Sequence, residues 1–96
     1  KHKGAHMLYR FLRGREVDAR RGRSRSSRYL DINDGLLTPP VSIGARAVGW
    51  PEHEIDAINA AKIAGWQEPA IRELVTQLTT ERSKIAPRIS AGPHIS

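Results

Sequence analysis

The 96-residue chain contains no cysteine. Disulfides, thiolate chemistry and cysteine-ligated zinc are excluded together. Aromatic side chains are scarce, and Tyr9, Phe11, Tyr29, Trp50 and Trp66 are the whole set. That is too few for the open stacking platform on which single-stranded RNA is read. No apolar run approaches the roughly 18–20 residues of a membrane span. No signal-peptide apolar region follows Met7, so a soluble, intracellular protein is expected. The sequence also lacks a nucleophile–base pair, a paired-carboxylate motif and a phosphate loop. His53 and His94 have no partner at metal-ligand spacing, and the acids flanking His53 would point away from it on a helix. A non-enzyme without metal or cofactor is expected.

Positive charge, by contrast, is abundant and crowded into one segment. Between Arg10 and Arg28 lie eight arginines, opposed only by Glu16 and Asp18, a local net of +6. From Tyr29 to Ser96 six basic residues face eight acidic ones, a net of −2. The basic end suits a polyanion, because the guanidinium fork matches phosphate and the O6/N7 edge of guanine. A disordered basic arm would bind DNA without sequence preference. The residues between the arginines argue instead for an ordered unit.

Residues 1–6 read as the remnant of a cleaved expression tag, with Met7 as the native start. About ninety residues then form one small domain, with stability on the order of 5 kcal/mol. Leu8–Leu12 is apolar at alternate positions and suits a short strand or turn. Arg15–Arg21 favours a helix, with Val17 and Ala19 turned inward and Gly22 as its stop. Ser24 offers an N-cap for a second helix from Arg25 to about Asn33. The linking Gly22-Arg23-Ser24 has the length and glycine of a helix-turn-helix turn. Arg25, Ser26, Ser27 and Arg28 then fall where such a helix meets base edges. Two prolines stiffen Leu36–Pro40. Val41–Ile43 and Ala47–Trp50 read as a β-hairpin with Arg46 at or beside its tip. Pro51 fits the first position of a third helix running to about Ala64, with Ile55, Ile58 and Ala61 or Lys62 on one face. A fourth helix begins near Glu68 and Pro69. Its residues Ile71, Leu74, Val75 and Leu78 form an apolar stripe, and the pattern fades between Arg82 and Ile85.

The residues Glu16-Val17, Ala19-Arg20, Gly22, Ser24-Arg25-Ser26-Ser27 and Tyr29, followed by Gly44, Arg46-Ala47-Val48-Gly49-Trp50 and Glu54-Ile55, resemble the AlpA family. These are small MerR-like winged helix-turn-helix proteins of prophages and integrative elements. The resemblance covers roughly Leu12 to Ala64. It implies DNA binding, either as an excisionase that bends attachment-site DNA and directs an integrase toward excision, or as a transcriptional activator. It also implies a cytoplasmic, nucleoid-associated location and head-to-tail assembly on DNA. The fourth helix resembles the C-terminal extension of excisionases from rhizobial-type elements. Gly14, Asp18, Arg23 and Arg28 depart from the family's apolar pattern. Each lost apolar side chain would be worth about 1.5–3 kcal/mol if buried. Either these arginines reach outward to phosphates, or the domain depends on DNA or partner contacts for order.

The expected fold is mainly α with a small β-hairpin: a winged helix-turn-helix over 7–65, an amphipathic helix over 66–85, and a flexible tail over 86–96. Arg25 and Arg28 are expected in the major groove and Arg46 in the minor groove. Ser24, Ser26 and Ser27 would meet phosphate at the helix start, and Arg20, Arg21 and Arg23 would grip the backbone. Tyr29 would pack its ring inward and reach a phosphate with its hydroxyl, while Trp50 belongs to the core. The Ile71, Leu74, Val75 and Leu78 stripe would mediate self-association, because the domain before Gly65 looks complete. With six to eight arginines on phosphates, log K should fall with log salt at a slope of roughly −5 to −7.

Overall fold

The computed structural model describes residues 9–87. The tag remnant expected at 1–6, Met7, His94 and all of the expected tail beyond Pro87 lie outside the described residues. Two short helices come first, α1 over Gly14–Arg21 and α2 over Arg25–Asn33. Glu16 starts α1 by accepting the backbone N–H of Arg13 at 2.9 Å, and an acid in the first turn also matches the helix dipole. Gly22 stops it in the left-handed region, at φ 66°, where a residue without a Cβ is at no disadvantage. The Arg23 N–H then bonds back to the Asp18 carbonyl at 3.0 Å and closes the turn. Ser24 restarts the chain as a helix, its hydroxyl accepting the Ser27 N–H at 3.1 Å. The helix-turn-helix is thus written locally, in one glycine and one serine.

Three strands form an antiparallel sheet ordered β1 (Phe11–Leu12), β3 (Ala47–Pro51), β2 (Val41–Gly44). The hairpin turns through Ala45 and Arg46. The lead-in strand pairs with the hairpin's far strand, Leu12 opposite Trp50 and Phe11 opposite Pro51. The expectation that Pro51 is the first helical residue is therefore corrected. Pro51 stays extended as the end of β3, and Glu52 opens α3 (Glu52–Ile63). Ala19 also departs from expectation and faces solvent, leaving Val17 as the inward apolar residue of α1.

One core joins all the layers. Leu12, Val17, Leu37, Trp50, Ile55, Ile58 and Ala61 meet Ile71 and Val75 of α4 (Glu68–Ile85). Leu74 and Leu78 pack against its edge. The self-association reading of Ile71, Leu74, Val75 and Leu78 is corrected for Ile71 and Val75, which are enclosed, while Leu74 and Leu78 are half-buried. Their stripe covers the chain's own core, so the unit before Gly65 is not complete without α4. The Trp50 indole N–H donates to the Thr38 carbonyl at 2.9 Å and anchors the buried connector. Among the described residues no helix is long and apolar enough to cross a membrane.

Glu54 is fully buried at the start of α3. Arg82 reaches it from α4 with two hydrogen bonds, 2.8 Å from Nε and 2.7 Å from Nη2. The same guanidinium donates to the Pro39 carbonyl at 2.7 Å. The clamp ties α4 to α3 and the connector. Removing one partner would strand a buried carboxylate, so Arg82→Met should lower unfolding free energy by about 3 kcal/mol. Glu81→Ala, which loses only an exposed pair with Lys84, should cost under about 1 kcal/mol. Urea denaturation of both variants measures the difference, and equal losses would refute the clamp.

Candidate nucleic-acid interface

The starts of α1 and α2 and the β3 strand converge on one open cleft of about 300 Å³, lined by Arg13, Gly14, Arg15, Arg25, Arg28, Tyr29, Val48 and Trp50. Four of these eight residues are arginines. Arg25 and Ser26 stand exposed on the first turn of α2. Tyr29 follows one turn later, about half exposed, with its ring 5.7 Å from the Arg25 guanidinium carbon. The expectation that this ring packs inward is corrected. It lies on the surface, close to the guanidinium groups of Arg25 and Arg28. Those groups, Arg25 first, hold its hydroxyl below the ordinary tyrosine pKa.

Arg28 is the main departure. Its side chain is only 8% exposed, with Nε donating to Asp18 Oδ1 at 2.7 Å and Nη2 to Oδ2 at 3.2 Å. Its guanidinium carbon lies 5.1 Å from the Tyr29 ring centroid and 5.3 Å from that of Trp50. A Cβ on Gly14 would stand 2.7 Å from this guanidinium. The Asp18 hydrogen bond holds the arginine's pKa above its ordinary value. The sequence reading sent Arg28 to the major groove; the structure commits it to an internal carboxylate. Three departures from the family pattern thereby become one unit. Gly14 provides room, Asp18 the counter-charge, and Arg28 fills the space.

Arg21 also leaves the expected surface. Its side chain is fully buried and bonds Asp31 at 2.6 Å. Arg23 remains partly exposed in the turn, with a longer contact to the same carboxylate at 3.4 Å. Arg20 turns toward α3, pairing with Glu52 at 2.8 Å and Asp56 at 3.5 Å, and the Glu52 hydrogen bond raises its pKa. Ser24 and Ser27 bond one another as the α2 cap. Arg46 is exposed at the hairpin tip with φ 61°. A non-glycine residue there carries roughly 1 kcal/mol or more of backbone strain. The sequence reading missed Arg13, Arg15 and Val48. The arginine run contained the first two, but only the packing of α1 beside β3 separates them from Arg20 and Arg21.

A helix start bearing an exposed arginine, delivered by a three-residue turn and flanked by a basic cleft and a β-hairpin, defines a helix-turn-helix of the DNA-binding kind. The family model described as "Prophage CP4-57 regulatory protein (AlpA)" matches residues 10–79, and the chain belongs to that family. It is similar to the uncharacterized protein ORF88 of Enterobacteria phage P4, with 45% identity over 56 residues. That match spans 58% of this chain and 64% of the phage protein. No solved structure matches the chain.

Gly14→Ala tests the packing over Arg28. Alanine gains up to about 1 kcal/mol in helix propensity. Overpacking a held group costs about 1–3 kcal/mol, so a net loss of stability is expected by thermal melting, and a gain would contradict the packing. Tyr29 should ionise below about 10 in a spectrophotometric titration of a Tyr9→Phe background. A normal midpoint would contradict the flanking guanidinium groups.

Proposed function

We propose that the chain is an excisionase, a recombination directionality factor that binds and bends attachment-site DNA so that an integrase runs toward excision. The observation that carries DNA binding is the exposed Arg25 start of α2 beside the Arg13 and Arg15 cleft. Arg25 enters the major groove and offers its fork to a guanine edge. Ser26 and the Tyr29 hydroxyl meet phosphate, as do Arg13, Arg15 and Arg23. Arg46 reaches the adjacent minor groove from the hairpin tip, where a narrow groove attracts arginine. Neighbouring copies meet head to tail on repeated half-sites, and the DNA deformation is offset by the added contacts. Ile71 and Val75 take no part in that meeting, being enclosed in the core.

The second reading is a transcriptional activator of mobile-element genes, favoured by the words "regulatory protein" in the family description. Footprinting on the element's own DNA separates the two. Periodic protection beside the recombination site supports the excisionase, and protection confined to a promoter supports the activator.

With Arg21 and Arg28 enclosed and Arg20 paired to α3, Arg13, Arg15 and Arg23 remain for phosphate, with Arg46 between the phosphates of the minor groove. The salt slope should then be roughly −3 to −4 rather than −5 to −7. Binding isotherms between 50 and 200 mM salt measure it, and a slope near zero rules out the footprint. Arg46→Gly relieves a positive φ, so it should fold at least as well as the wild type. It should nevertheless lower the slope by about one, and an unchanged slope would remove Arg46 from the interface.

A further inference from the structure

We infer that Arg28 is a positioning residue of this surface, holding Tyr29 and Arg25 toward DNA without touching DNA itself. The inference rests on the DNA-binding reading above. Three contacts hold the Arg28 guanidinium: the Asp18 carboxylate, the Trp50 ring and the Tyr29 ring. Gly14 leaves no side chain to displace it. A phosphate approaching Arg28 from the cleft would have to compete with a carboxylate already bonded through two nitrogens, at a side chain only 8% exposed. Charge-assisted, two-point pairs of this kind are the strong ones.

The outer face of Tyr29 is a different matter. Its half-exposed ring is a plate with two guanidinium groups near it, the enclosed Arg28 at 5.1 Å from the centroid and the exposed Arg25 at 5.7 Å. Arginine only donates hydrogen bonds, so a guanidinium beside the tyrosine hydroxyl can engage only its oxygen. The hydroxyl hydrogen is left for an outside acceptor, and a phosphate oxygen is one. Arg28 therefore fixes the plate, the plate sets the Arg25 rotamer, and α2 carries one exposed guanidinium for base edges instead of two.

The test uses the full chain with a fluorescein-labelled 30-base-pair duplex of mixed sequence. Arg28→Met combined with Asp18→Leu removes both charges, so no buried carboxylate is stranded. The double variant should melt close to the wild type and bind about tenfold more weakly with an unchanged salt slope. Its Tyr29 titration should move back up toward the ordinary value in the Tyr9→Phe background. Arg13→Ala, the phosphate-contact control, should make the slope less steep by about one. If the double variant loses that same unit of slope, or leaves the Tyr29 midpoint unmoved, the positioning role is wrong.

Dicarbonyl modification of the unmutated chain gives an answer that needs no variant to fold. Arg25 should react when free and be protected by the duplex, whereas Arg28 should stay unreactive in both states. An Arg28 that reacts when free and is protected by DNA would overturn the inference. A wild-type chain that does not bind the duplex would sink the DNA-binding reading itself, a result distinct from either Arg28 outcome.

Discussion

A guanidinium removed from water must have a carboxylate within reach, and the arrangement of this domain follows from how that requirement is met. Asp18 on α1 and Arg28 on α2 bond across the helix-turn-helix at 2.7 and 3.2 Å. Asp31 on α2 returns the same favour to Arg21 on α1 at 2.6 Å. The two helices are thus pinned by two ion pairs of opposite sense, acid from one helix in the first and from the other in the second. An apolar interface of similar size would hold as well or better. The Asp18–Arg28 pair ties angle and register more tightly, because a fork and a carboxylate match in few orientations, whereas Arg21 reaches Asp31 through Nη2 alone.

The remaining structure braces these helices. β1 pairs with β3 and brings Trp50 under Arg28. The Glu54–Arg82 clamp and the Ile71 and Val75 packing hold α4 across the back of the core. The fourth helix is a structural wall of a small domain whose DNA-binding part alone buries few apolar side chains. That accounts for the thin apolar pattern of the first half: the missing hydrophobic burial is supplied by a helix some forty residues further on.

What the sequence made legible was local. The Gly22 stop, the Ser24 cap, the hairpin and the helical stripe of α4 each depend on neighbours within a few residues, so their chemistry can be read in order. The cleft was half legible, since a dense arginine run announces a polyanion but not which arginines face it. Arg25 and Arg28 are one turn apart and look equivalent in the sequence. The difference between them is Asp18, ten residues back, and Gly14, whose missing Cβ matters only once α1 lies beside α2. Glu54 and Arg82 are twenty-eight residues apart, and nothing local marks them as partners. The α4 stripe was correctly seen as apolar but assigned to another molecule, because periodicity shows that a face is buried and not what buries it.

The two arginines of α2 differ in exposure, Arg28 enclosed as framework and Arg25 open to solvent for the proposed contact with DNA. Guanidinium Nε–H signals in an NMR titration with duplex DNA test this assignment most directly, since each arginine reports for itself. The Arg25 signal should shift on adding DNA while that of Arg28, hydrogen-bonded to Asp18 and 5.3 Å from the Trp50 ring, keeps its position. An Arg28 signal that moves as far as that of Arg25 would contradict the assignment.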